Sequence, residues 1–322
     1  MIKRRGLLKA ASAIAASGAM ALIPSRAVAQ RVTRLVFVHG RAQEGRDPEA
    51  LKAEWMATLQ RGATANGRTV PADLDVAFPF YGDVLDKYAR DLDIPLSADM
   101  QTRGASPSDR EFLQFQAEFA EEVRKRAGIT DAQIESEYGN DLRERGPLNW
   151  GWVQATLRAI DKYGGGAGQK TLETFTRDVF LYTTRAGVHD EIDAIVAAKL
   201  TEQPTVVVGH SLGTVVAYSV LRRDTRALKV PIYVTVGCPL AVRSIRDQFR
   251  PLRTPKPVAA WYNAFDTRDT VALYPLDAAN FPVQPAIDNY GNVRNPTDNH
   301  HGIIGYLDNP DVAKHILDGL GA

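Results

Sequence analysis

The sequence predicts an α/β domain in three layers: a mostly parallel sheet covered by helices, with an extra helical segment inserted over it. Short apolar runs alternate with amphipathic helical stretches along most of the chain, the pattern of linked strand–helix–strand units. The 322 residues are 44% hydrophobic and 24% charged, ordinary globular proportions that allow one large core. Between the second strand and Pro204 lies far more chain than one crossover needs, which predicts the insertion.

The first thirty residues read as a separate object. Lys3, Arg4, Arg5 and Lys9 make a basic start, an Ala-rich apolar stretch covers 10–23, and Ala27-Val28-Ala29 has the small-x-small form of a signal cleavage site. Arg4-Arg5-Gly6-Leu7-Leu8-Lys9 resembles a twin-arginine export signal, which implies passage through the Tat export machinery in folded form, to the periplasm or beyond. An uncleaved anchor is the alternative, but the apolar part is short for a membrane span. Loss of residues 1–29 takes 39 basic residues to 34 against 38 acidic, so the formal charge moves from +1 to −4. That acidic balance argues against a nucleic-acid partner or a basic membrane-surface protein. Cys238 is the one cysteine, so no internal disulfide is available, and its apolar run makes it a small buried hydrophobe. No His-Glu-x-x-His, Cys-x-x-Cys or calcium-loop spacing occurs, so neither a metal nor another cofactor is expected.

The mature domain, 30–322, then reads in order. Residues 32–38 form a buried strand ending at His39-Gly40, and Asp47-Pro48 opens a helix through Leu59, with proline placed in its first turn. A second strand covers 73–78. The insertion is expected over 84–168: a helix bearing Phe112, Phe115, Phe119 and Val123 on one face, started by Ser106, Pro107 and Ser108, then a second over 150–160. The glycine run 164–168 is its return hinge. Helical stretches over 175–183 and 189–200 lead to a strand at 204–208, a helix at 211–221 and a strand at 231–236. A short helix at 242–249, a strand at 258–264 and a last helix at 308–320 complete the order.

The chemistry concentrates at Gly209-His210-Ser211-Leu212-Gly213. A serine hydroxyl is a poor nucleophile without a base beside it and a third group to orient that base. It must also be exposed among buried neighbours, which a sharp strand-to-helix turn flanked by small residues achieves. The pentapeptide alone arises by chance in roughly one chain of this length in ten. An apolar strand, Val206-Val207-Val208, directly before it and an apolar helix, Thr214-Val215-Val216-Ala217, directly after make the signal specific.

At this point the chain resembles the α/β-hydrolase superfamily, particularly its lipase and esterase branches, from 31 to about 319 in the order of elements; the insertion contributes nothing to the likeness. The resemblance implies a His-Gly turn after an early strand, which Val38-His39-Gly40-Arg41 matches, and makes the Arg41 and Leu212 backbone N–H groups the oxyanion donors. Losing one such donor typically costs ~2.7–4 kcal/mol of transition-state stabilisation. The triple-glycine version of the turn is absent, and His39 reads as a turn-organising residue. Family order is nucleophile, acid, histidine. Asp269, two residues before Val271, is the acid, with Asp266 as the alternative. His301, followed by Gly302 and later by Tyr306-Leu307, is the base, with His300 as the alternative. Little chain precedes the first strand, so the antiparallel strands that open larger members are missing and the sheet should have about six strands.

The expectation is therefore an exported serine hydrolase that cleaves small-molecule or lipid esters by acyl transfer through Ser211, His301 and Asp269. An acyltransferase or amidase would use the same triad, and a catalytically silent ligand- or partner-binding member is the rival from another class. Trp150, Trp152, Phe80 and Tyr81 are placed where they could roof an acyl pocket, although such aromatics are more often core.

Overall fold

The structure, a computed structural model, describes residues 32–92, 107–138, 150–164 and 168–322. The export signal of 1–29, the start signal Ser106 and residues 165–167 of the glycine run lie outside the described residues.

Six strands form one all-parallel sheet: β1 (Arg34–Val38), β2 (Asp75–Ala77), β3 (Thr205–His210), β4 (Tyr233–Val236), β5 (Trp261–Ala264) and β6 (Asp288–Tyr290), in the order β2-β1-β3-β4-β5-β6. The chain moves from β1 outward to β2, then returns across β1 to β3. That reversal opens a crevice beyond the carboxyl ends of β1 and β3, where open α/β sheets receive ligands.

Among the described residues eleven α-helices cover the sheet: α1 (Pro48–Ala65), α2 (Gly82–Asp91), α3 (Pro107–Arg126), α4 (Asp131–Tyr138), α5 (Trp150–Tyr163), α6 (Gln169–Thr184), α7 (Ala186–Ala197), α8 (Leu212–Arg223), α9 (Arg243–Arg246), α10 (Ile303–Leu307) and α11 (Pro310–Leu320). None of them is long and apolar enough to cross a membrane. Local chemistry sets their ends. Asp47 caps α1 by accepting from Glu49 N at 2.9 Å, with Pro48 at the first helical position. Asn309 does the same for α11, accepting from Asp311 and Val312 N–H groups, and Gly321 closes it in the left-handed conformation.

The pleat sends alternate side chains to opposite faces. Leu35 and Phe37 of β1 and Val206 and Val208 of β3 pack with Leu51, Trp55 and Leu59 of α1 and Ile316 and Leu320 of α11. Val36, Val38 and Val207 point the other way, into a larger core with Val215 of α8 and Phe175 and Val179 of α6. Phe112 and Phe119 of α3, Ile134 of α4 and Leu157 of α5 belong to that same core. The helices expected as an insertion thus share one continuous apolar layer with the sheet and thicken one of its faces.

Some elements depart from expectation. The second strand keeps only three residues, Asp75–Ala77, of the expected 73–78, because it is an edge strand paired on one side alone. The helix expected at 189–200 runs Ala186–Ala197. Strand β6 and helices α2 and α4 fall outside the expected elements: β6 is short and polar, α4 buries only Ile134, and α2 is mostly polar with Leu85 and Ala89 buried on one face.

Candidate active site

The site is built on the turn between β3 and α8. Ser211 holds φ 54° and ψ −129°, a strained conformation for a residue with a side chain. The flanking glycines permit it. A Cβ on Gly213 would lie 2.1 Å from Val38 O and 2.4 Å from His39 O, and one on Gly209 would lie 2.9 Å from Thr214 Cα. Backbone packs against backbone at both places, so neither neighbour can yield. The turn is anchored by Ser211 N–H donating to Val236 O at 3.1 Å.

His301 and Asp269 come to this serine from loops beyond β6 and β5. Ser211 Oγ and His301 Nε2 are 2.8 Å apart, and His301 Nδ1 and Asp269 Oδ2 are 2.7 Å apart. A carboxylate only accepts, so Nδ1 carries the proton and Nε2 presents its lone pair to the serine hydroxyl. Asp269 is fully engaged: Oδ1 accepts from Val271 N at 2.8 Å and Ala272 N at 3.2 Å, and Tyr306 Oη donates to Oδ2 at 2.6 Å. The main chain of His301 is pinned as well, its N–H donating to Asn299 Oδ1 at 3.1 Å and its carbonyl accepting from His210 Nε2 at 2.8 Å.

The neighbouring candidates do other work. His300, at φ 55°, donates through Nδ1 to Asn295 O at 3.0 Å. Asp266 accepts from the Arg268 side chain at 2.6 Å and from Asn295 N at 2.7 Å, bracing the loop that carries Asp269. Burial alone would push the Asp266 carboxyl up, but the Arg268 guanidinium and the Arg268 and Asn295 N–H groups outweigh it and hold it below its ordinary value.

His39 organises its turn. Its Nδ1–H donates to Gly40 O at 2.6 Å, its Nε2 accepts from Tyr81 N at 3.1 Å, and its ring stacks on Tyr81 with centroids 4.0 Å apart. Burial depresses its pKa to about 4, so it is neutral. Burial, with the nearby His301 adding to it, depresses that of His210 to about 3. Burial also pushes the Cys238 thiol up to about 12, which leaves it inert at neutral pH.

A cavity of about 160 Å³ opens over Ser211 and His301, lined also by Arg41, Ala42, Thr171, Leu172, Phe175, Thr270, Val271 and Asn299. Neither the Arg41 nor the Leu212 backbone N–H donates a hydrogen bond among the described residues, and Leu212, first in α8, has no intrahelical acceptor. Three of the four aromatics expected to roof this space lie elsewhere, and the side chain of Trp150 lies outside what the structure describes. Tyr81 is buried on His39, Phe80 lies against the same ring, and Trp152 packs on Tyr138. The wall instead comes from α6, through Thr171, Leu172 and Phe175, which sequence reading assigned to no role. Tyr306 and His210 were visible only as parts of the motifs around them, and Asn295 and Asn299 carried no sequence signal.

Among the described residues no group of three or more His, Cys, Asp or Glu side chains is arranged to hold a metal ion. No protein-family model matches the chain and no curated protein matches it.

Proposed function

We propose that the chain is a serine hydrolase of the α/β-hydrolase type that cleaves carboxylic esters through an acyl-enzyme. The observation that carries this reading is the unbroken chain from Ser211 Oγ through His301 to Asp269 Oδ2, at 2.8 and 2.7 Å.

In this reading Ser211 Oγ attacks the ester carbonyl while His301 Nε2 takes its proton. Asp269 keeps Nδ1–H in place and stabilises the imidazolium that forms. The Arg41 and Leu212 N–H groups bind the tetrahedral oxyanion. His301 then returns the proton to the departing alcohol, leaving the acyl group on Ser211. Water, deprotonated by the same nitrogen, releases the acid and restores the serine. Export belongs to the same proposal, supported by the basic start, the apolar stretch and the Ala27-Val28-Ala29 site.

Hydrolysis of p-nitrophenyl acetate tests it. Ser211→Ala should lower kcat by about 10⁴–10⁶-fold in a folded protein. An unchanged rate in that variant contradicts the proposal.

A further inference from the structure

Arg41 lines the cleft, and its side chain carries a charge that the oxyanion role of its backbone N–H does not use. A Cβ on the preceding residue, Gly40, would lie 2.8 Å from Ser211 Cβ, so Arg41 begins one residue from contact with the serine. It lines the same cavity as Ser211. Its Nε donates to Asp178 Oδ2 at 2.8 Å, and its Nη groups make no hydrogen bond among the described residues. The side chain is 18% exposed, so these donors are partly shielded from water.

Arg41 shares its carboxylate partner with a second cation. Arg177 also reaches Asp178, at 3.2 Å on Oδ1, so two guanidinium groups share one carboxylate. The carboxylate of Asp269 keeps its charge, but its acceptor positions go to His301, Tyr306 and two backbone N–H groups, so it makes no hydrogen bond with the Arg41 guanidinium. The rest of the cleft is small and mainly apolar, lined by Leu172, Phe175 and Val271 with Thr171, Thr270 and Asn299 among them. At about 160 Å³ it is well below the ~300 Å³ at which drug-sized pockets begin.

We propose that the preferred substrate is a short ester carrying a carboxylate or comparable anion, which the Arg41 guanidinium binds beside the scissile carbonyl. This rests on the serine-hydrolase reading of Ser211. Asp178 acts as a positioning residue: it fixes Nε and leaves the Nη pair to the ligand, the fork geometry that suits a carboxylate. A charge-assisted hydrogen bond partly shielded from water is worth about ten- to a hundredfold in binding.

The test compares esters of matched length on the purified protein: p-nitrophenyl butyrate against the p-nitrophenyl monoester of succinate, and phenyl acetate against 4-acetoxybenzoate. The wild type should favour one anionic member by about tenfold or more in kcat/KM. Arg41→Gln should bring that ratio to near one, while Arg41→Lys keeps part of it. The pair that shows the preference tells whether the anion sits in the acyl or the alcohol part. If Arg41→Gln does not fold, the wild type still decides: its preference must shrink as salt rises from about 20 to about 500 mM. Equal rates on neutral and anionic esters, or a loss in Arg41→Gln that is the same for all four, overturn the anion proposal and leave the hydrolase reading intact. No Ser211-dependent turnover of any ester overturns both.

Discussion

Tyr306 and His301 share one oxygen of Asp269: Tyr306 Oη donates to Oδ2 at 2.6 Å and His301 Nδ1 to the same atom at 2.7 Å. Burial first, and the Asp269 charge second, push the Tyr306 hydroxyl well above its ordinary pKa, so it remains a donor. The same hydroxyl accepts from Asp266 N at 3.2 Å. Tyr306→Phe removes a hydrogen bond to a buried carboxylate and orphans a buried N–H. The expected cost is about 1.5–3 kcal/mol of stability, read from urea unfolding midpoints. An unchanged midpoint would show that the bond contributes nothing.

Asp269 and Asp266 should separate cleanly. Asp269→Asn leaves His301 without an acceptor at Nδ1 and favours the wrong tautomer, so kcat should fall by about 10³–10⁴-fold with the fold intact. Asp266→Asn should instead lower the unfolding midpoint and spare kcat, since Asp266 touches Arg268 and Asn295 rather than His301. Steady-state kinetics and circular dichroism on the two variants check this, and the reverse pattern would exchange their roles.

The buried histidines make the fold sensitive to acid. His39 and His210 have folded-state pKa values of about 4 and about 3 against an ordinary 6.5. Above pH 6.5 both are neutral whether the chain is folded or not, and stability is complete. Below it the unfolded chain binds protons that the folded chain refuses, so stability falls by about 1.4 kcal/mol per pH unit for each histidine. The loss continues until pH reaches the folded values. Asp266, held below its ordinary value, adds its own loss only when pH drops through the carboxylate range. Urea unfolding at pH 7.5 and pH 5 should differ by several kcal/mol, and His210→Gln should remove part of the difference. Equal stabilities at the two pH values would contradict the burial of neutral imidazoles.

Gly237 bounds the histidine from the sheet side. It has φ 58°, and a Cβ there would lie 3.0 Å from His301 Cε1 and 3.1 Å from Nδ1. Gly237→Ala adds left-handed strain of about 1–2 kcal/mol and presses on the ring. A displacement near 1 Å can cost about a hundredfold in rate, so kcat should drop by at least about tenfold while the protein stays folded. Unaltered kcat would mean that His301 has room to give.

Much of the fold is readable in the chain because its strands are apolar on both faces. Val206-Val207-Val208 and Leu35-Val36-Phe37-Val38 announce themselves, and the Ser211 turn follows from the glycines on either side. Strand β6 does not: Asp288-Asn289-Tyr290 is an edge strand, half exposed and polar, with no apolar run to mark it. Helices α2 and α4 are short and charged, and α4 buries only Ile134. The choice within each pair, Asp266 or Asp269 and His300 or His301, turns on backbone geometry. His300 sits at φ 55° and bonds a carbonyl of its own loop, while His301 emerges beside Ser211. The α6 wall is illegible for another reason, since only tertiary packing sets Thr171, Leu172 and Phe175 opposite a serine forty residues later in the chain, roughly speaking.

The most direct test of acyl transfer through Ser211 is fluorophosphonate labelling of the folded protein, with the adduct located by mass spectrometry. One adduct is expected, on the peptide containing Ser211, greatly slowed in His301→Ala and close to wild-type rate in His300→Ala. No adduct on the folded wild type, or an equal adduct in Ser211→Ala, would contradict it.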